Sequence, residues 1–110
     1  MHKDAAFLEH ILDAIIAIDK FTFGFDLERF KNDDLVHSAV IRQFEIIGEA
    51  SMNLSDKAQE SIEVPWRDIV DMRNKLIHEY FGIDLNIVWR AITEDLQPLK
   101  KAILSWKETQ

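Results

Sequence analysis

Three features of this 110-residue sequence predict an all-α chain. Apolar residues recur at three- and four-residue steps, only three Gly and two Pro punctuate the chain, and acidic residues stand where helices should begin. A protein of many short strands would need more turn residues than this. The expected architecture is a bundle of four main helices with one or two short ones, and residues 1–110 form a single domain.

Taken in order, Phe7, Ile11, Ile15 and Ile18, with Leu8 and Leu12 beside them, define a first helix that should stop before Gly24. Asp26 can cap a short turn through Phe30. Asp33 or Asp34 caps a second long helix with an apolar face of Val36, Val40, Phe44 and Ile47, continued by Met52 and Leu54. Gly48 lies inside that helix, where glycine costs about 1 kcal/mol relative to alanine. It marks either the close approach of another helix or a tolerated weakness. Ser55 opens a short acidic segment, and Pro65 suits the first turn of a helix from Trp66 to about His78, with Gly82 beyond its end. Asp84 caps a last helix carrying Leu85, Val88, Trp89, Ile92, Leu96, Leu99, Ile103 and Trp106, which Pro98 should kink or break.

Composition narrows the class further. A chain of this length buries roughly two thirds of its unfolded surface, enough for a core without staples. With no Cys, disulfide frameworks and cysteine-based zinc modules are excluded. No apolar run approaches the roughly 18 residues of a membrane span, and the opening MHKDAAFLEH lacks the pattern of a secretory signal. The expectation is a soluble, cytoplasmic protein with no membrane partner. A formal charge of −7 weighs against a general nucleic-acid binder, because phosphate contacts need Lys and Arg.

The charge is uneven along the chain. Residues 1–72 hold 7 basic and 15 acidic side chains, whereas residues 73–110 hold 6 and 5. The boundary falls on MRNKLIHEYFG, which contains the sole Tyr. Within this segment Lys75 has Asp71 and Glu79 four residues to either side, and Arg67 also has Asp71 at i+4, so these charges are expected to form a solvated ladder of pairs. Arg73 differs: its neighbours one turn away are Ile69, Val70, Leu76 and Ile77. Its guanidinium must snorkel outward, find a carboxylate on another helix such as Glu45 or Glu49, or await an anionic ligand. His78 lies five residues on, about 140° around the helix from Arg73. Asn74 stacks one turn before His78, where its amide can orient the imidazole, and His78 can alternatively serve as a helix-end cap.

Other chemistries find no support. His2, His10 and His37 have no zinc-ligand spacing, and no phosphate-binding glycine loop or nucleophile elbow is present. No motif calls for a metal or a cofactor.

The residues RNKLIHEY resemble the R-x-x-x-x-H-x-Y signature of the HepT-like toxins, small helical proteins of the HEPN superfamily. Arg73, His78 and Tyr80 fill its three positions, and AVIRQFEIIGEA (Ala39 to Ala50) is similar to that family's second-helix block. The run from Pro65 and Trp66 through FGIDLNIVW to Leu99 extends the likeness over most of the chain. The resemblance implies a HEPN-like fold and a metal-independent endoribonuclease that acts as a homodimer. It also implies a toxin of a type II/VII-like toxin–antitoxin pair, partnered by a minimal nucleotidyltransferase antitoxin that binds it or transfers AMP to the motif tyrosine. Carried onto this chain, Arg73 and His78 are the catalytic pair, Asn74 supports them, and Tyr80 is the AMP acceptor. The alternative is a non-catalytic helical interaction protein that binds a nucleotidyltransferase or a nucleotide.

The chemistry suits these residue types. RNA cleavage without metal needs a base for the 2′-hydroxyl proton, a cation for the charge developing on phosphorus and an acid for the leaving 5′-oxygen. Imidazoles, which titrate near pH 6.5, serve either proton role, and a two-fold dimer would supply two of them. The acidic field of the N-terminal two thirds leads us to expect weak, salt-sensitive affinity for bulk RNA, with selectivity set by shape.

Overall fold

The computed structural model describes residues 2–79 and 82–110. Among them every regular element is helical, in the order α1 (His2–Thr22), α2 (Leu27–Asn32), α3 (Asp34–Met52), α4 (Asp56–Ser61), α5 (Trp66–His78), α6 (Leu85–Arg90) and α7 (Leu96–Glu108). A π-helical turn, Ala91–Asp95, joins α6 to α7, so these three pieces run end to end as one long helix. The bundle therefore has four main helical rods and two short helices, α2 and α4, as the periodicity predicts.

Side chains set the helix starts. Asp26 accepts a hydrogen bond from the Arg29 N–H, Asp33 from Val36, Ser55 from Ala58 and Asp84 from Asn86, so each cap satisfies an amide left unpaired in the first turn. Pro65 occupies the cap of α5 rather than its first turn, and it offers no side-chain bond there. Gly24, at φ +77°, turns the chain out of α1 in a conformation that side-chain-bearing residues avoid.

The central helix, α3, packs between α1 and α5, while α7 lies against α1. Leu8, Ile11, Ile15 and Ile18 of α1 meet Val40, Phe44 and Ile47 of α3, and Val88, Leu96, Leu99 and Ile103 complete the core. Leu54 joins this core from beyond the end of α3. Met52 does not: it is half open to solvent, because the helix turns its last residue away from the bundle.

Pro98 neither ends nor interrupts the last helix; it sits in the first turn of α7. The wide turn lies just before it, over Ala91–Asp95. A proline has no N–H for the carbonyl four residues back and its ring crowds that carbonyl, so a widened turn upstream accommodates it where a regular turn would clash.

A second tie joins distant parts of the chain. Asp4 in α1 accepts hydrogen bonds from the Ser55 N–H at 2.8 Å and the Ser55 hydroxyl at 2.6 Å, which holds the start of α1 against the cap of α4. These two bonds, the hydroxyl's first, hold the Asp4 carboxyl below its ordinary value of 3.8. No helix among the described residues is long and apolar enough to cross a membrane.

Candidate active site

The site is built on α5, which presents its buried face, Trp66 and Leu76, to the bundle. Trp66 anchors the start of this helix by donating its indole N–H to the carbonyls of Gln59 and Ile62. A little over three turns later the helix ends at His78, where the Glu79 N–H closes the last turn onto the Lys75 carbonyl.

Arg73 is half-buried along the seam between α5 and α3. Its stem passes directly over Gly48 of α3: a Cβ placed on Gly48 would collide with Arg73 Cβ and lie 2.6 Å from its Cγ. Of the two meanings a glycine inside α3 can carry, the close approach is the one realised. The guanidinium Nη1 donates to Asn74 Oδ1 at 2.8 Å, and Nε is buried with no hydrogen-bond partner. Among the described residues no carboxylate lies within 4.0 Å of it. Glu45, one expected partner, pairs instead with Arg42 at 3.4 Å, and Glu49 makes no ion pair. The cation is thus restrained by its stem and by one neutral amide, and no carboxylate among the described residues pairs with its charge.

Asn74 holds Arg73 rather than His78, because its amide oxygen is turned toward the guanidinium. His78 is exposed at the end of α5. Five residues along a regular helix separate it from Arg73, an axial rise of roughly 7.5 Å and a rotation of about 140°. Tyr80 lies outside the described residues.

The charge ladder expected on α5 does not close. None of the pairs Arg67 with Asp71, Lys75 with Asp71 or Lys75 with Glu79 comes within ion-pair distance; the ion pairs among the described residues are Asp34 with His37, Arg42 with Glu45, Arg90 with Glu94 and Glu9 with Lys107. Solvated charges on an exposed face gain too little from pairing to fix their long side chains.

A cavity of about 300 Å³ opens beside the site between α3, α5 and the π turn. Phe44, Ile47 and Met72 form part of its apolar wall, and Glu63, Asp68, Glu94 and Asp95 are among its acidic residues. Neither Arg73 nor His78 lines it. Partial burial, and then the neighbouring Glu94 charge, raise the Asp95 carboxyl above its ordinary value; Arg90 opposes this and Asp68 adds to it. Among the described residues no three His, Asp or Glu side chains gather as a metal site would require.

Among the described residues α5 thus holds an arginine with no carboxylate partner about one and a half turns before its terminal histidine. Comparison with known proteins identifies the family. The sequence model of the family described as "Ribonuclease HepT-like" matches residues 11–105. A protein of Thermococcus cleftensis named as a probable ribonuclease HepT is 46% identical over 100 residues, covering 90% of this chain and 89% of its own length. A protein of Methanocaldococcus jannaschii named provisionally as an RNase is 41% identical over 99 residues, covering 89% and 91%. Another with a provisional RNase name, from Caldanaerobacter subterraneus subsp. tengcongensis, is 40% identical over 104 residues, covering 94% and 93%. No solved structure matches significantly. The chain belongs to the HepT-like ribonuclease family.

Proposed function

We propose that this protein is a metal-independent endoribonuclease, the toxin of a toxin–antitoxin pair, with Arg73 and His78 as its catalytic residues. The observation that carries the reading is Arg73: half-buried, fixed over Gly48 and by Asn74, and without a carboxylate partner among the described residues. A cation held in this way is organised for an anion that the chain itself does not supply. The names of these relatives, a probable ribonuclease and two provisional RNases, support RNA as the substrate.

In the proposed reaction one imidazole takes the proton of the RNA 2′-hydroxyl, and the 2′-oxygen attacks the adjacent phosphorus. Arg73 stabilises the charge that develops on the phosphoryl oxygens. The bond from phosphorus to the 5′-oxygen breaks, a second imidazole protonates that oxygen, and a 2′,3′-cyclic phosphate remains. One imidazole cannot serve as free base and as acid in the same step, so two-fold pairing of α5 with its copy in a homodimer brings two His78 and two Arg73 to one cleft. Sedimentation of the protein with and without RNA, and mass analysis of the cleaved 3′ ends, test the dimer and the product.

The antitoxin in this reading is a minimal nucleotidyltransferase that binds the toxin or modifies it. In the second case the Tyr80 hydroxyl attacks the α-phosphorus of ATP, the transferase accepts its proton, and pyrophosphate leaves. The AMP would add an anion two residues along the chain from His78, which competes with the substrate phosphate for Arg73 in this reading. Incubation with the cognate transferase and ATP is expected to add one AMP to the wild type and none to Tyr80→Phe; equal labelling of both would exclude Tyr80 as the acceptor.

The reading of the chain as a helical interaction protein rests on Phe23 and Leu35, which are 87% and 80% exposed and suit a protein partner better than water. RNA cleavage that disappears in Arg73→Ala while the fold persists separates the enzyme from this alternative.

A further inference from the structure

Among the described residues, Arg73 of α5 meets a glycine of another helix at its root and not merely at its tip. The seam explains why. Where α5 crosses α3, a Cβ on Gly48 would collide with Arg73 Cβ, lie 2.6 Å from Cγ and lie 3.5 Å from Cα. These atoms cannot swing aside as the end of a flexible side chain can. Turning Arg73 about its first torsion moves Cγ but not Cβ, so an alanine at 48 must force the two helices apart and carry the root of Arg73 with α5.

We propose that Gly48 is a positioning residue for Arg73, setting which N–H groups the guanidinium offers to a phosphate. This rests on the reading of Arg73 as a catalytic cation. With the stem over Gly48, Nε is sealed in the seam and Nη1 is turned to Asn74. The phosphate then meets the outer edge of the guanidinium, made by Nη2 and the remaining N–H of Nη1. A helix interior otherwise favours alanine over glycine, so the missing side chain answers a need of the neighbouring helix.

The test is Gly48→Ala in the full chain, read in three ways. In the first, the Nε–H resonance of Arg73, assigned by its loss in Arg73→Lys, exchanges slowly with water in the wild type and should shift and exchange faster in Gly48→Ala. In the second, RNA cleavage should fall at least about ten-fold in kcat, while Ala58→Gly, a lesion in α4 with no contact to Arg73, leaves the resonance in place. In the third, thermal unfolding should show Gly48→Ala lowering the midpoint beside Arg73 but raising it beside Arg73→Gly, where no Cβ remains to collide. This last arm holds even if the single variant fails to fold, since the double variant should regain the fold. An unmoved resonance, wild-type cleavage by Gly48→Ala, or a midpoint that Arg73→Gly does not restore would overturn the proposal. If the wild type cleaves no RNA, the nuclease reading fails, and the resonance and unfolding arms still decide whether Gly48 sets Arg73.

Discussion

Arg73 Nη1 donates to Asn74 Oδ1 at 2.8 Å, and this is the one hydrogen bond the guanidinium makes among the described residues. Adjacent residues on a helix point about 100° apart, so the bond draws the long arginine side chain around the helix toward its neighbour. It supplies direction without neutralising charge, which a carboxylate in the same place would do.

Removing that amide should therefore reduce catalysis without loss of structure. A hydrogen bond to a charged group contributes about 1.5–3 kcal/mol, so Asn74→Ala is expected to lower kcat/KM by roughly 10- to 100-fold. Asn74→Asp should raise KM, because its carboxylate competes with the substrate phosphate for Arg73. Steady-state cleavage of one RNA substrate, with helix content checked by circular dichroism, measures both.

The Asp4 and Ser55 tie makes stability depend on pH in a definite direction. The folded-state pKa of Asp4 is below its ordinary 3.8, so the tie contributes above pH 3.8 and is lost as pH falls through the folded value. Asp4→Asn should lower the unfolding midpoint at pH 7, and the gap from the wild type should close in acid below pH 3.8. Thermal scans of both proteins at a series of pH values give that difference directly.

Asp95 carries the opposite sign. Its folded-state pKa is raised, so its ionisation destabilises the fold above that value and has no effect below the ordinary 3.8. Asp95→Asn should raise the midpoint at neutral pH, with the gain vanishing in acid. The same set of scans detects it, and a variant less stable than the wild type at pH 7 would contradict the account.

Much of the bundle was legible in local sequence. Asp26, Asp33 and Asp84 cap their helices because a carboxylate satisfies free N–H groups in the first turn, a matter of two or three neighbouring residues. That no acid one turn away on its own helix pairs Arg73 was equally visible, since those neighbours are apolar, but a partner such as Glu45 or Glu49 on another helix stayed open. What local pattern could not reach was tertiary. The expected ion pairs of α5 stay open to water, and the amide of Asn74 turns to Arg73 instead of His78. The glycine of α3 read equally as a close approach or a tolerated weakness, and only the crossing of α3 and α5 decides between them and identifies Arg73 as the group that needs the space. The π turn before Pro98 was hidden too, because the periodicity of Val88, Ile92, Leu96 and Leu99 reads smoothly through it.

The nuclease reading rests on two side chains of α5, and one assay addresses both. Purified wild type, Arg73→Ala and His78→Ala are incubated with RNA in excess chelator, and intact substrate is followed over time. Cleavage by the wild type, with loss of at least about 100-fold in each variant while the helical fold persists, is the predicted result. Equal cleavage by all three proteins, or cleavage by the wild type that chelator abolishes, would contradict it.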